Sequence, residues 1–216
     1  MRRQGRSAVR LSPLQARIHP LVLTALLTLA GCSATEIVNQ WSNPAYPSAS
    51  FKEILIIGVS NQTSIRRTFE DEFVSQLKAA GLNAAPSYQF IHEDGPVDES
   101  RLKQAVEQAG ADAAIVTRLI GVEQKTGITP GYYHSVPAYG FYRWYSSAWS
   151  GFYEPPRVYQ YDVYVSETSL YDMVKNEVVW SGAARTTASS DVGKEIKRYV
   201  ETVIRALGEK KLLDSK

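Results

Sequence analysis

Apolar residues recur along this chain in two alternating spacings. Residues 54–59 form a continuous, largely β-branched run, which is typical of a strand buried on both faces. The next segment, 64–80, carries a stripe of apolar side chains at helical spacing and ends at Gly81; the stripe consists of Ile65, Phe69, Phe73, Leu77 and Ala80. The pattern therefore predicts a buried strand followed by an amphipathic helix.

Two pairs of unlike charges accompany that helix. Arg66 precedes Glu70 by four residues, and Arg67 precedes Asp71 by the same distance. Side chains at this spacing are neighbours on a helix surface, where each pair contributes about 0.2–0.5 kcal/mol. We interpret both as exposed ion pairs.

The alternation of strand and helix patterns then continues. Residues 82–91 indicate a second strand, which Pro86 places at a sheet edge because proline cannot donate to the ladder. Asp98 and Gly110 are the start and stop signals of a short helix. Residues 111–122 are apolar on both faces, as in a central strand. This order predicts parallel neighbouring strands joined by right-handed crossovers.

The second half of the chain changes pattern. Residues 158–170 and 177–187 show the alternation of an antiparallel hairpin, and 191–207 form a strongly amphipathic helix. The predicted fold class is therefore α/β (α+β): a single mixed five-stranded sheet, βαβαβ followed by a β-hairpin and a C-terminal helix. Numbered along the chain, these strands are expected in the order 2-1-3-4-5. Helices 64–80 and 191–207 should pack on one face, through residues such as Phe73 and Val203.

The N-terminal segment has the pattern of an export signal. Residues 1–20 are polar and carry five arginines, while 21–30 are apolar but too short to span a bilayer comfortably. Small residues then precede Cys32, the sole cysteine of the chain, in the sequence Leu29-Ala30-Gly31-Cys32. The alternative interpretation is an ordinary secretory signal peptide followed by an incidental cysteine.

This sequence resembles the lipobox of bacterial lipoproteins. The resemblance implies cleavage before Cys32, a thioether-linked diacylglycerol on its sulfur, and acylation of the new amino group by a chain such as palmitate. Ser33 follows the cysteine where an aspartate would imply retention in the inner membrane. The resemblance therefore implies a protein anchored to the periplasmic side of the outer membrane, with the inner membrane as the alternative.

The domain organisation and the charge follow from this interpretation. We expect a signal peptide at 1–31, a lipidated tether at 32–50 and a single domain at 51–210. Beyond residue 31 the chain carries 19 basic and 22 acidic residues. Because the excess of basic residues belongs to the signal peptide, no nucleic-acid partner is indicated. With one cysteine, the domain must be stable through packing alone.

Residues 130–156 form an aromatic insertion between predicted strands. Ten of its 27 residues are aromatic, whereas the whole chain has 23 aromatic residues. Three interpretations remain open: a lid or extension packed on the domain, a protein- or glycan-binding surface, and a membrane-interface contact. The candidate binding residues are Tyr142, Trp144, Tyr145 and Trp149.

Motifs of catalysis are not recognisable in the sequence. His92 and His134 lack a second imidazole at metal-ligand spacing, and the chain has neither a nucleophile elbow nor a phosphate-binding glycine loop. We therefore expect no catalytic residue, metal or cofactor. The alternative is a cell-wall glycan-acting enzyme or glycan-binding protein using the insertion, with Asp162, Glu154 and His134 as acid/base candidates.

Several short segments resemble a family of uncharacterised bacterial envelope lipoproteins, over most of residues 38–208. They are Ile54 to Val59, Arg67 to Phe73, Gly110-Ala111-Asp112-Ala113, Val116-Thr117-Arg118-Leu119, Leu170-Tyr171-Asp172 and Val179-Trp180-Ser181. The element order further resembles the TolB amino-terminal domain and the lipoprotein activators of peptidoglycan synthases. The resemblance supplies no catalytic residues, and a similar fold does not define a function. Our hypothesis is a non-enzymatic binding or assembly module anchored to the outer membrane, whose partner is an envelope protein or peptidoglycan.

Overall fold

The computed structural model describes residues 35–134, 140, 142–145 and 152–213. The strands of this part are β1 (Thr35–Ser42), β2 (Ile54–Val59), β3 (Ala84–Pro86), β4 (Ala113–Thr129), β5 (Tyr132–His134), β6 (Phe152–Glu154), β7 (Arg157–Asp172) and β8 (Glu177–Thr187). The longer helices are α1 (Thr63–Ala79), α2 (Glu99–Ala109) and α3 (Val192–Glu209). Six strands form one mixed sheet in the order β1-β8-β7-β4-β2-β3, and β5 and β6 form a small second sheet.

The parallel half of the sheet follows the prediction. Strand β2 pairs in parallel with β3 on one side and with β4 on the other. Its apolar run is buried on both faces, at Ile54 and Ile56 on one side and Leu55 on the other. Strand β3 is shorter than predicted, because the chain leaves the sheet after Pro86 and turns into a 3-10 helix at Ser87–Gln89.

The antiparallel half also has the predicted topology. Strand β7 pairs antiparallel with β4 and with β8, which confirms the hairpin at 158–187. Asn176 takes a positive φ of 54° in the turn between β7 and β8. The order of the five predicted strands is therefore confirmed, although β4 extends seven residues beyond its predicted end at residue 122.

Helices α1 and α3 pack on the same face of the sheet, as predicted. Phe73 and Val203 belong to one buried cluster with Ile56 and Leu170. The rings of Phe69 and Tyr199 lie 6.0 Å apart where the two helices meet.

The sheet is also bonded to α3 by a chain of three hydroxyl groups. Thr168 is hydrogen-bonded to Thr117 across the β4–β7 pair and to the hydroxyl of Tyr199, both at 2.6 Å. Burial of this phenol raises the pKa of Tyr199 to about 12. The tyrosine hydroxyl therefore stays protonated and continues to bond the helix to the sheet at physiological pH.

Helix α2 has the predicted ends. The side chain of Asp98 accepts a hydrogen bond from the backbone N–H of Arg101 at 2.7 Å, and Gly110 ends the helix in the left-handed region. Ala105 is buried, whereas Leu102, which shares the predicted inward face, is exposed.

The prediction of five strands was too low by one, because residues 35–42 form an edge strand instead of belonging to a tether. Strand β1 pairs antiparallel with β8, from Thr35 opposite Thr186 to Ser42 opposite Trp180. Thr35 is buried and Ile37 packs against the core, but most of the strand is polar or exposed. Such a sparse apolar pattern is usual for an edge strand. The sequence of residues 35–42 therefore lacks the apolar alternation from which a strand is predicted.

A polar cluster closes the end of the sheet where β7 turns into β8. The hydroxyl of Tyr46 donates to Asp172 at 2.9 Å, and the backbone N–H groups of Val174 and Lys175 donate to the same carboxylate. Burial by itself would raise the pKa of Asp172, but these hydrogen bonds outweigh it and lower the pKa below its ordinary value. The cluster holds the segment after β1 against the β7–β8 turn.

We expect Phe73→Ala to lower the free energy of unfolding by about 3–5 kcal/mol, because it leaves a cavity between helix α1 and the sheet. Chemical denaturation monitored by circular dichroism measures the change. Val174→Ala serves as the control, since Val174 is 82% exposed and its truncation should change stability by less than about 0.5 kcal/mol. A similar midpoint for both variants would mean that the inner face of α1 is assigned wrongly.

Candidate functional site

A groove opens where the parallel strands β2 and β4 leave the core. It has a volume of about 420 Å³ and lies between the sheet and the N-terminal turns of α1 and α3. Its apolar wall includes Val59, Ile65, Phe69, Leu119, Tyr164 and Val192. In open α/β sheets, ligands commonly bind in such a crevice beyond the carboxyl ends of the strands.

The fully buried carboxylate of Glu70 lies behind this groove. One of its oxygens accepts hydrogen bonds from the backbone N–H of Gly58 at 3.0 Å, from Arg66 Nε at 3.1 Å and from Ser87 Oγ at 2.7 Å. The other oxygen accepts from the backbone N–H of Tyr88 at 3.0 Å. A single side chain thus joins the end of β2, helix α1 and the turn after β3.

The guanidinium of Arg66 is equally committed to the fold. Its terminal nitrogens donate to the backbone oxygen of Glu93 at 2.7 Å and to Ser87 Oγ and the backbone oxygen of Ile91, both at 3.0 Å. Arg66 is only 5% exposed although it lines the groove. Because each of its three nitrogens already has a partner, the groove gains little anion-binding capacity from this charge.

The prediction that Arg66 and Glu70 form an exposed ion pair was therefore wrong. The spacing of buried residues explains the error, since Arg66, Glu70, Phe73 and Leu77 follow one another at intervals of four, three and four. These positions share one face of a helix. Arg67 and Asp71 are exposed as predicted, but they form no ion pair with each other, and both contact Tyr88. The guanidinium of Arg67 lies 5.3 Å from the centre of the Tyr88 ring, and the Tyr88 hydroxyl donates to Asp71 at 2.6 Å.

Glu195 is the second buried carboxylate of the groove. It lies in the first turn of α3 and accepts a hydrogen bond from the backbone N–H of Ser189. Asp191 caps the same helix by accepting from the backbone N–H of Lys194 at 3.0 Å. The acidic groups at the start of α3 therefore stabilise the end of the helix. Because the exposed wall of the groove is largely apolar, the group that it can hold is apolar or aromatic.

A two-stranded arm extends beyond the sheet. The arm consists of residues 124–129 of β4 and 157–162 of β7, past the last residue of β7 that pairs with β8, Val163. Its length is about 20 Å at the usual rise of a strand. The ring of Tyr159 covers Gly127, where an added Cβ would clash with it. Ile128, Val158 and Tyr159 are exposed along the arm.

The arm ends in the aromatic insertion, whose described part we call the tip. The tip consists of the small sheet β5–β6, Gly140 and a helical turn at 142–145. The candidate residues Tyr142 and Trp144 are 87% and 57% exposed, and Tyr145 is also exposed. Trp149 lies outside the described residues, as does Cys32.

The acid/base candidates of the enzyme hypothesis lie on two different sheets. Asp162 is on the arm, opposite Gln124, whereas Glu154 is in the small sheet, opposite Tyr132. His134 is paired with Phe152 in that small sheet, and its side chain is outside the described part. The backbone register thus brings Glu154 and His134 into one small sheet but leaves Asp162 on the arm.

Metal ligands do not cluster in the described part of the chain. No group of three or more histidine, cysteine, aspartate or glutamate side chains there could hold a metal ion. None of the helices in that part is both long enough and apolar enough to cross a membrane.

Neither a protein-family model nor a curated protein matches the chain. Among solved structures, the PelC dodecamer from Paraburkholderia phytofirmans aligns at 14% identity and a TM-score of 0.44, covering 83% of this chain and 99% of that one. Lipoprotein GNA1162 from Neisseria meningitidis aligns at 13% identity and a TM-score of 0.39, covering 73% and 99%. Similarities at this level define neither a family nor a function for this chain.

We expect Glu70→Gln to lower the free energy of unfolding by about 3–5 kcal/mol, because it leaves the buried Arg66 charge uncompensated. Asp71→Asn is the matched control one position along the same helix. Its carboxylate is exposed, so the loss should stay below about 1 kcal/mol. Denaturant unfolding of both variants at neutral pH measures the difference, and equal losses would contradict a structural role for the buried pair.

Proposed function

We propose that this protein is a lipid-anchored module of the bacterial cell envelope that acts by binding and not by catalysis. Cys32 anchors it to the periplasmic side of the outer membrane, and its binding surface is the arm with the tip. The observation that carries this proposal is the set of exposed aromatic side chains in the tip of the two-stranded arm, including Tyr142, Trp144 and Tyr145.

The length of the arm supports a binding role. A turn of two to five residues is enough to join antiparallel strands. In this chain, β4 and β7 instead continue past the sheet as a two-stranded ribbon. An isolated two-stranded hairpin is only marginally stable in water, so an arm of this kind adds little to the stability of the domain. Large exposed patches of apolar side chains commonly mark interaction surfaces.

The groove supports the same proposal by its chemistry. A general acid or base must reach the substrate, but the carboxylates of Glu70 and Glu195 are buried and bonded to backbone N–H groups. Arg66 likewise bonds to backbone oxygens and to Glu70. These charges hold the fold together, which favours a binding module over the alternative of a glycan-acting enzyme.

The proposed anchor is tested by the mass of the membrane-extracted protein. We expect a chain that begins at a lipid-modified Cys32, because the Leu-Ala-Gly-Cys sequence follows a short apolar run. Cys32→Ala should accumulate as unprocessed precursor or appear in the soluble fraction, whereas Ser33→Ala, one position along, should be processed normally. An unmodified Cys32 in the native protein would exclude the anchor.

The proposed binding surface is tested by replacing residues 130–156 with a short Gly-Ser turn. We expect a folded and lipidated protein that no longer retains envelope partners or isolated peptidoglycan, since the tip is removed while the six-stranded sheet is kept. Circular dichroism and thermal unfolding monitor the fold, and pull-down from solubilised envelope and sedimentation with sacculi monitor binding. Val174→Ser, on the β7–β8 turn, is the control substitution.

Two results would contradict this second prediction. If the shortened protein fails to fold, the aromatic rings belong to the core. If it folds and retains the same partners as the full chain, the binding surface lies elsewhere on the domain.

A further inference from the structure

The register of the sheet places the start of β1 at the base of the arm. Thr35 pairs with Thr186 of β8, which pairs with Tyr164 of β7, which in turn pairs with Val122 of β4. These four residues form one row across the sheet. The arm begins two positions beyond this row, at Gln124.

Strand β1, followed toward its first residue, and the arm, followed toward the tip, run in the same direction. Strand β1 is antiparallel to β4 across the sheet. Followed backwards from Ser42 to Thr35, β1 therefore points toward the same end of the sheet as β4 does from residue 115 to Val122. Cys32 precedes Thr35 by three residues, which span at most about 10 Å. A lipid anchor on Cys32 therefore holds this end of the sheet, the base of the arm included, close to the membrane surface.

Most of the exposed large hydrophobic side chains also lie at this end of the molecule. At the ends of the strands and the start of α3 they include Val59, Leu119, Ile120, Val122 and Val192. Those of the arm and tip are Ile128, Tyr132, Tyr133, Tyr142, Trp144, Tyr145, Tyr153, Val158 and Tyr159. The opposite end carries the polar cluster of Tyr46 and Asp172, with Trp41 as its large exposed aromatic residue.

The composition of the arm and tip matches the membrane interface. Tyrosine and tryptophan concentrate at the level of the lipid headgroups, where the ring is partly buried and its polar atom stays hydrated. On one face of the arm, the rings of Tyr159 and Tyr161 lie 5.9 Å apart, and Lys125 pairs directly with Tyr161. The ammonium of Lys125 is ion-paired with Glu123 at 2.8 Å, whereas Arg143 of the tip and Arg157 of the arm are exposed basic residues that fit the anionic headgroups at this level of the bilayer.

We propose that the ligand of the arm and tip is the lipid surface itself, in the leaflet that holds the acyl chains of Cys32. This inference rests on the proposed anchor and assigns the partner of the proposed binding surface. The arm is about twice as long as the extended three-residue linker, so it is inclined to the membrane surface and does not stand upright on it. An upright arm would carry its unpaired strand edges into the hydrocarbon, where backbone polar groups have no partners.

Two contact points then fix the orientation of the domain. Acyl chains alone hold the protein at the membrane but allow it to rotate about the linker. With the tip rings at the headgroups as well, the end of the sheet that carries the groove beside Val59 and Leu119 lies nearer the membrane than the end that carries the cluster around Asp172.

Quenching of tryptophan fluorescence by brominated lipids tests this orientation. The lipidated full-length protein is reconstituted into vesicles of phosphatidylethanolamine and phosphatidylglycerol that contain a phosphatidylcholine brominated near the headgroup end of its acyl chain. Trp144→Phe should reduce the quenched fraction by roughly a third to a half, because tryptophan at the interface lies near the bromines. Trp41→Phe is the matched control: Trp41 is 52% exposed and lies near the far end of β1, so its loss should leave the quenching amplitude unchanged.

A second measurement guards against an effect of the substitution on folding. The far-ultraviolet circular dichroism of both variants should match that of the original protein, and acrylamide should quench Trp144 less on vesicles than in detergent solution. If Trp144→Phe leaves the lipid quenching unchanged in a protein with an acylated Cys32, the arm does not contact the membrane and the anchor stands alone. A change of Trp144 emission on addition of peptidoglycan sacculi, without lipid quenching, would assign the tip to a glycan instead.

Failure of the anchor has a different signature. If Cys32 carries no lipid, the proposed function is wrong; quenching of Trp144 on the same vesicles would then support lipid binding by the arm alone. Absence of both the modification and the quenching overturns both proposals.

Discussion

The carboxylate of Glu70 is the constraint on which the layout of this domain depends. It is fully buried, and its bonds reach Gly58 at the end of β2, Ser87 and Tyr88 after β3, and Arg66 on its own helix. A buried carboxylate is tolerated only when its lone pairs are used and a counter-charge is close. Satisfying it therefore determines where β2 ends, why β3 is short and how α1 approaches the sheet.

The sequence predicted the parts of the fold that follow from apolar periodicity. The continuous run at 54–59, the alternation after residue 157 and the stripe of α3 each placed an element correctly, and together they predicted the order of five strands. Apolar periodicity failed to predict the structure where the buried residues are charged or where a strand has few apolar residues. Arg66 and Glu70 occupy the buried stripe of α1 but have the pattern of surface charges, and strand β1 is held by its partner β8 with few apolar side chains of its own.

For the candidate site, the sequence shows the high density of aromatic residues at 130–156. It does not show that these residues lie at the end of an arm, because the arm depends on the pairing of β4 with β7 beyond the sheet.

The two ends of the sheet differ in the chemistry that they present. One end has an apolar groove, exposed aliphatic side chains and the arm, whereas the other has hydrogen-bonded Tyr46, Asp172 and Glu177. This asymmetry arises from topology: the parallel strands and the two helix N-termini open toward one side, and the tight turn of the β7–β8 hairpin closes the other. Because its two ends differ in this way, the domain can contact an apolar neighbour at one end and a polar neighbour at the other.

The pairing of β1 with β8 has a consequence for how the chain acquires its structure. Thr35 is bonded to Thr186, so the edge of the sheet forms only when residues 151 positions apart have met. Contacts of such long sequence separation form slowly, because the intervening chain must be ordered first. A polypeptide that is threaded through a translocation channel from its N-terminus cannot complete this ladder until nearly all of it has emerged. Strand β1, although first along the chain, therefore joins the sheet only after its partner β8 is in place.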